Sequence, residues 1–284
     1  MMRFLPVFGI IVGLGFGAEG AFAQEEVTFQ STPIQPSAFK VRQAQAKSIE
    51  LLPDDGIELK GIRFNPEGAG PNPAVILLVS GDGLTQSHLN WAQTLSEAGY
   101  EALVVDSFGS RGGADYRDTP AMNMPDDAYS AFRYLAAQPE VDDTRISLLG
   151  FSLGGSHLFT TVSAENSRVP PEFAPQLAIA VYPVCPVDGS VTVPMMLLAG
   201  DADKLISLAT CRGFVQQARA NNFPVSLHEY SSATHFFDNP AYAKSGDIHA
   251  SKPQSMWFQD NHYDAEAHAD AISRVLRFLK VGIP

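Results

Sequence analysis

Cysteine, tryptophan and positive charge are what this 284-residue chain has least of, with 2 Cys, 2 Trp and 19 Lys+Arg against 31 Asp+Glu. Cys185 and Cys211 are too few for a disulfide scaffold or a four-cysteine zinc site. The net charge of −12 repels phosphate backbones and argues against nucleic acid as a partner. Charged residues make up only 18% and hydrophobic residues 45%, which excludes whole-chain disorder, collagen and coiled coil. After the N-terminal segment no apolar run reaches the roughly 20 residues that a membrane span needs.

The first 23 residues read as an address. Arg3 supplies a positive start, Phe4 to Ala18 is an uncharged and mostly apolar run, and Ala21-Phe22-Ala23 is a small-x-small cleavage site before Gln24. This is the pattern of a secretory signal peptide. Gly15-x-Gly17-x-x-Gly20 inside it matches a dinucleotide fingerprint. That motif works only between a strand and a helix, so it is set aside. The expected organisation is a signal peptide over 1–23, a polar N-terminal arm over 24–50 and one α/β domain over 51–284. The expected location is exported, periplasmic or secreted, with no membrane attachment after cleavage. Oligomeric state is left open.

Strand and helix patterns alternate after the arm. Ile57–Phe64 alternates as a half-buried strand does, with a slip at Gly61. Ala74–Val79, Ala102–Val105, Ile146–Leu149, Leu177–Val181, Met195–Leu198 and Val225–Tyr230 are short apolar runs, of the kind buried on both faces of a parallel sheet. Helical spacing covers His88–Ala98, Asp126–Ala137, Leu205–Ala220 and Ala265–Lys280, the last with a stripe of Ile272, Val275, Leu276 and Leu279. The alternation predicts a mainly parallel sheet with helices on both faces. Sites in such folds form at the carboxyl ends of the strands.

Those strand ends carry the candidate chemistry. Ile146-Ser-Leu-Leu149 runs into Gly150-Phe-Ser152-Leu-Gly154 and then a helix. This is the pattern of a nucleophile elbow, with Ser152 on a strained turn. A serine needs a base, and the expected chain order is nucleophile, acid, histidine. Gly200-Asp201-Ala202-Asp203 follows one later strand, and Ser231-Ser-Ala-Thr-His235 follows another. His235 is the candidate base, ahead of His228, which lies within the last strand, and of His249, His262 and His268, which lie in loops or at the start of the last helix with no strand end beneath them. His88 and His157 come too early in the chain. Asp203 is the favoured acid and Asp201 the fallback. The expected oxyanion donors are backbone amides of Leu153 and of the loop after Ala74–Val79, at Asp82 or Gly83. The same loop reads equally as a plain β–α turn.

Four stretches resemble the dienelactone hydrolase family of the α/β-hydrolase superfamily, over roughly residues 57–280. They are Val105-Asp-Ser-Phe-Gly-Ser-Arg-Gly112, Leu148-Leu-Gly-Phe-Ser-Leu-Gly-Gly155, Leu198-Ala-Gly-Asp-Ala-Asp203 and Tyr230-Ser-Ser-Ala-Thr-His235-Phe-Phe-Asp238. The resemblance implies an α/β-hydrolase fold with a mostly parallel sheet of about eight strands. It places the acid on Asp203 and the base on His235. Two departures stand out. Founding members use a cysteine nucleophile where this chain has Ser152, and related hydrolases often carry a loop-bracing histidine where this chain has Ser80. The family also implies a substrate-binding arginine near Arg111, which reads equally as a loop-bracing ion pair.

Export would let Cys185 and Cys211 pair beside the acid loop. Trp91, Trp257 and Phe258 receive no role. The polar stretch Asn239–His262 has the length of a lid. The expected activity is hydrolysis of a small carboxylic ester or lactone through an acyl-enzyme, with no metal and no cofactor. The alternatives are a peptidase or amidase with the same triad, and a non-catalytic binding protein on the same fold.

Overall fold

A computed structural model describes residues 24–33, 38–49, 55–119, 123–166, 169–170, 172–243 and 260–281. The leader pattern, His249, Trp257, Phe258 and most of the Asn239–His262 stretch lie outside these residues.

Eight strands form one sheet: β1 Gln24–Gln30, β2 Glu58–Phe64, β3 Asn72–Leu78, β4 Glu101–Asp106, β5 Val141–Phe151, β6 Ala178–Val181, β7 Met195–Gly200 and β8 Val225–Tyr230. Their spatial order is β1-β2-β4-β3-β5-β6-β7-β8. The pairs β1–β2 and β2–β4 are antiparallel, and the other five pairs are parallel. This is the mostly parallel sheet of the α/β-hydrolase fold. The apolar runs occupy its centre because strands there are covered on both sides.

The helices are α1 Ala38–Gln45, α2 Gln86–Glu97, α3 Met124–Ala136, α4 Leu153–Thr161, α5 Leu208–Ala220 and α6 Ala265–Val281. Alternate side chains of each central strand serve opposite faces. Ile76, Leu78, Leu148 and Leu197 share a core with Phe132 of α3, Leu158 of α4 and Phe214 of α5. Val75, Leu77, Leu149 and Leu198 share the other with Trp91 of α2 and Val275 of α6.

Three details differ from the sequence reading. Gln24–Gln30, read as part of an arm, forms an edge strand paired residue for residue with β2. An edge strand is held mainly by backbone hydrogen bonds, so its side chains need little apolar pattern. There is no slip in β2, because Leu59, Gly61 and Arg63 all point inward. A Cβ on Gly61 would lie 2.9 Å from the Val104 carbonyl, and buried Arg63 meets buried Glu101 at 3.1 Å. In α6 the buried stripe is Ala267, Ala271, Val275, Phe278 and Leu279, with Ile272 and Leu276 only partly covered. Small alanines bring the helix close to the sheet, and the pattern of large residues alone misplaces the seam.

Candidate active site

The turn between β5 and α4 is dictated by glycines. Ser152 sits at φ +47°, ψ −109°, a strained conformation for a residue with a side chain. The turn is so tight that a Cβ on Gly154 would lie 2.4 Å from the Leu78 carbonyl, and one on Gly150 would lie 2.6 Å from the Gly155 amide. Any larger residue at either position pushes the helix off the sheet. The backbone N–H of Ser152 donates to the Val181 carbonyl at 2.9 Å, tying the elbow to the end of β6.

The structure brings Ser152, Asp203 and His235 together. His235 Nε2 lies 2.8 Å from Ser152 Oγ, and its Nδ1 lies 2.7 Å from Asp203 Oδ2. One neutral tautomer satisfies both contacts: Nδ1–H donates to Asp203, and Nε2 accepts from the serine hydroxyl. His235 is 1% exposed, and the Asp203 carboxylate is buried. Asp203 is anchored from behind, since its Oδ1 accepts the amides of Leu205 at 2.7 Å and Ile206 at 3.1 Å.

Asp201 has a different task. Its Oδ1 accepts the Ser232 amide at 2.6 Å, and its own amide donates to the Tyr230 carbonyl at 3.0 Å. It clamps the loop that presents His235. A Cβ on Gly200 would lie 2.0 Å from the Ala233 carbonyl, so the acid and histidine loops touch there.

The two loop candidates for the oxyanion separate clearly. The Gly83 amide donates to the Ser80 carbonyl at 3.1 Å, so it closes a turn and is not available to a ligand. The Asp82 amide has no acceptor among the described residues. The Leu153 amide opens α4, where a helix leaves its first N–H groups without internal partners. The Leu153 side chain also neighbours the loop, with its Cβ 3.7 Å from where a Gly81 Cβ would stand.

The loop is braced by a histidine from elsewhere in the chain. Buried His88, on α2, bridges two turns: the Thr85 amide donates to Nδ1 at 3.1 Å and the Ser80 amide to Nε2 at 3.2 Å, with Ser80 Oγ 3.1 Å from the same Nε2. Ser80 Oγ in turn bonds the Asp82 carboxylate. Burial holds the His88 pKa below the ordinary histidine value, against the opposing pull of Asp82 and Asp238. Sequence reasoning excluded His88 from catalysis by chain order and gave it no other role. Its signal was the Thr85-x-x-His88 spacing at the start of α2, a capping-box position.

Arg111 is committed to the protein itself. Its guanidinium holds Asp127 bidentately at 2.8 and 2.9 Å and the Ser107 carbonyl at 2.8 Å. The loop-bracing reading describes this contact; a free carboxylate clamp does not. Arg117, on the loop packed against Gly81, is paired with Asp115.

Cys185 and Cys211 form a disulfide with Cα atoms 5.0 Å apart. It joins the segment after β6 to the first turn of α5, which follows the acid loop. Among the described residues no His, Cys, Asp or Glu cluster has the form of a metal site.

Two further residues pack behind the histidine. The Tyr182 ring lies 4.6 Å from His235, centroid to centroid, and its hydroxyl donates to buried Asp238 at 2.7 Å. Neither was singled out from sequence, because Tyr182 and Asp238 are 56 residues apart and only the fold joins them.

With this geometry in view, similarity to known proteins becomes informative. An uncharacterized 31.7 kDa protein of Escherichia coli is 35% identical over 107 residues, 37% of this chain and 37% of that protein, so the match spans little more than a third of its length. A probable 2-oxo-3-(5-oxofuran-2-ylidene)propanoate lactonase of Bradyrhizobium sp is 25% identical over 188 residues, 61% of this chain and 76% of that protein. Among solved structures, esterase 2 of Thermogutta terrifontis phosphorylated by paraoxon superimposes with a TM-score of 0.59 at 19% identity, covering 81% of this chain and 91% of that one. The dienelactone hydrolase family model matches residues 59–282, and the chain therefore belongs to the dienelactone hydrolase family.

Proposed function

We propose that this protein is a serine hydrolase that cleaves small, uncharged carboxylic esters or lactones through an acyl-enzyme. The observation that carries the reading is the unbroken hydrogen-bonded line from Ser152 Oγ through His235 to Asp203, at 2.8 and 2.7 Å. His235 takes the serine proton as Oγ attacks the carbonyl carbon, then returns it to the departing alcohol. Asp203 holds the Nδ1–H tautomer and stabilises the imidazolium. The amides of Leu153 and Asp82 receive the oxyanion. Water, activated by His235, then releases the acid and restores Ser152. A fluorophosphonate probe tests this directly. Wild type gains one adduct, mapped to Ser152, and Ser152→Ala gains none. Paraoxon, which phosphorylates the Thermogutta esterase, is expected to give the same pattern. A panel of esters, lactones and peptide amides separates the ester reading from a peptidase.

Charge sets the substrate class in this reading. The Asp82 carboxylate lies in the proposed oxyanion loop, while Arg111 and Arg117 are already paired. A substrate carboxylate brought near Asp82 meets repulsion that is only partly screened. The expected result is that p-nitrophenyl butyrate exceeds p-nitrophenyl hemisuccinate in kcat/KM by about tenfold at low salt. Asp82→Asn narrows that ratio. Equal rates on the two esters in wild type would remove the charge argument.

Export belongs to the same proposal. It is supported by the leader pattern at 1–23 and by the Cys185–Cys211 disulfide, a bond that persists in oxidising compartments. The exported protein is expected to begin at Gln24 by intact mass. The disulfide spans 26 residues of sequence, and a loop of that size contributes about 3 to 4 kcal/mol by restricting the unfolded chain. Reduction, or the double variant Cys185→Ser and Cys211→Ser, is expected to lower stability by that amount in chemical denaturation.

A further inference from the structure

We infer that Tyr182, held by the buried carboxylate of Asp238, is a positioning residue that stabilises His235 in its charged form. The inference rests on the serine-hydrolase reading above.

Asp238 is the first observation. It is fully buried, and its two oxygens accept from two neutral donors, Tyr182 Oη–H at 2.7 Å and Trp91 Nε1–H at 2.7 Å. A buried carboxylate is costly unless its partners compensate. No Lys or Arg side chain meets it among the described residues. Burial holds nearby His268 below its ordinary pKa, although Asp238 pulls the other way. Trp91 and Tyr182 are thus the side-chain donors that meet this carboxyl, three residues beyond His235.

Tyr182 is the second observation. It stands at the end of β6 with φ +41°, a left-handed conformation that a tyrosine rarely adopts. Its amide donates to the Leu198 carbonyl at 2.6 Å, and its neighbour Val181 accepts the Ser152 amide at 2.9 Å. From this position the ring lies against His235, with ring planes tilted by 54°. Burial, with Asp238 beside it, pushes the phenol pKa well up, so the hydroxyl remains a donor.

The two observations combine in one effect. Donation to a carboxylate shifts electron density from the hydroxyl into the phenol ring. A neutral imidazole gains little from that ring, whereas an imidazolium within about 6 Å of the centroid is attracted by it. His235 becomes an imidazolium only as Ser152 attacks or water deacylates. The contact is thus stronger in the transition state than in the ground state, which is the condition for raising rate. Asp203 acts on the edge of the imidazole at Nδ1, and Tyr182 acts on its flank.

Steady-state hydrolysis of p-nitrophenyl acetate by the full protein tests this, with active sites counted by fluorophosphonate titration. Tyr182→Phe keeps the ring and removes the bond to Asp238. Asp238→Asn keeps the shape and removes the charge. Trp91→Phe removes the other hydrogen bond to Asp238, at Oδ2, and leaves the one from Tyr182 at Oδ1. The expected result is a fall of about tenfold in kcat per titrated site for the first two, with KM unchanged. Trp91→Phe lowers thermal stability and keeps kcat per site. The inference is overturned if Tyr182→Phe and Asp238→Asn retain wild-type kcat per site, or if Trp91→Phe falls as far as they do. Wild type that neither labels nor hydrolyses any ester overturns the hydrolase reading itself, and this inference with it.

Discussion

Ser152→Ala is expected to lower kcat on a p-nitrophenyl ester by about 10⁵- to 10⁶-fold, the scale seen when a triad nucleophile is removed. Without Oγ no acyl-enzyme forms, and His235 has only water to deprotonate. The proposed donors at Leu153 and Asp82 remain, so a residual rate above the uncatalysed one is expected. The fold should be unaffected. The elbow is set by the close approaches at Gly150 and Gly154, at 2.6 and 2.4 Å for an added Cβ, and not by the serine hydroxyl. Thermal unfolding within a degree or two of wild type, beside the lost activity, assigns the effect to chemistry. A variant that still hydrolyses esters at the wild-type rate would mean that another group is the nucleophile.

Asp203→Asn is expected to cost about 10⁴-fold in kcat, the magnitude that follows from trapping the wrong tautomer. The neighbouring amides make this argument specific. Leu205 and Ile206 donate to Oδ1 at 2.7 and 3.1 Å. An asparagine must keep its carbonyl oxygen on that side, which turns its NH₂ toward His235 Nδ1. That nitrogen must then accept, and the ring proton moves to Nε2, facing Ser152. The base is lost while the shape is preserved. Asp201→Asn is the control. Among the described residues its carboxylate accepts only the Ser232 amide, a task the asparagine oxygen can take over, so kcat should remain within a fewfold of wild type. Equal losses in both variants would refute the assignment of Asp203 as the triad acid.

Much of the frame was legible from residues alone. Buried parallel strands must be continuously apolar, so β3, β5 and β7 stand out as runs. The elbow is legible because only glycines fit at 150 and 154 beside a strained serine. The choice between Asp201 and Asp203 was ordered but not closed by the motif. What separates them is that the first meets a backbone amide and the second an imidazole, and two residues of spacing do not encode that.

Contacts between distant segments were not legible. Arg111 gave two even readings, and its partner Asp127 lies on α3, beyond the loop that carries the motif. Ser80 read as a missing brace, yet His88 supplies one from the next helix. β1 escaped notice because an edge strand needs backbone pairing more than apolar side chains.

The sequence by itself determined the order of strands and helices, the glycine-built elbow, and three candidate residues at strand ends, since these depend on local sterics and on burial period. The tertiary structure decided which loop amide is unused, which arginine is already paired, that the two cysteines meet, and that Asp238 lies behind Tyr182 and His235. Those outcomes depend on through-space distances between residues dozens of positions apart, and only the packed sheet and its covering helices fix such distances.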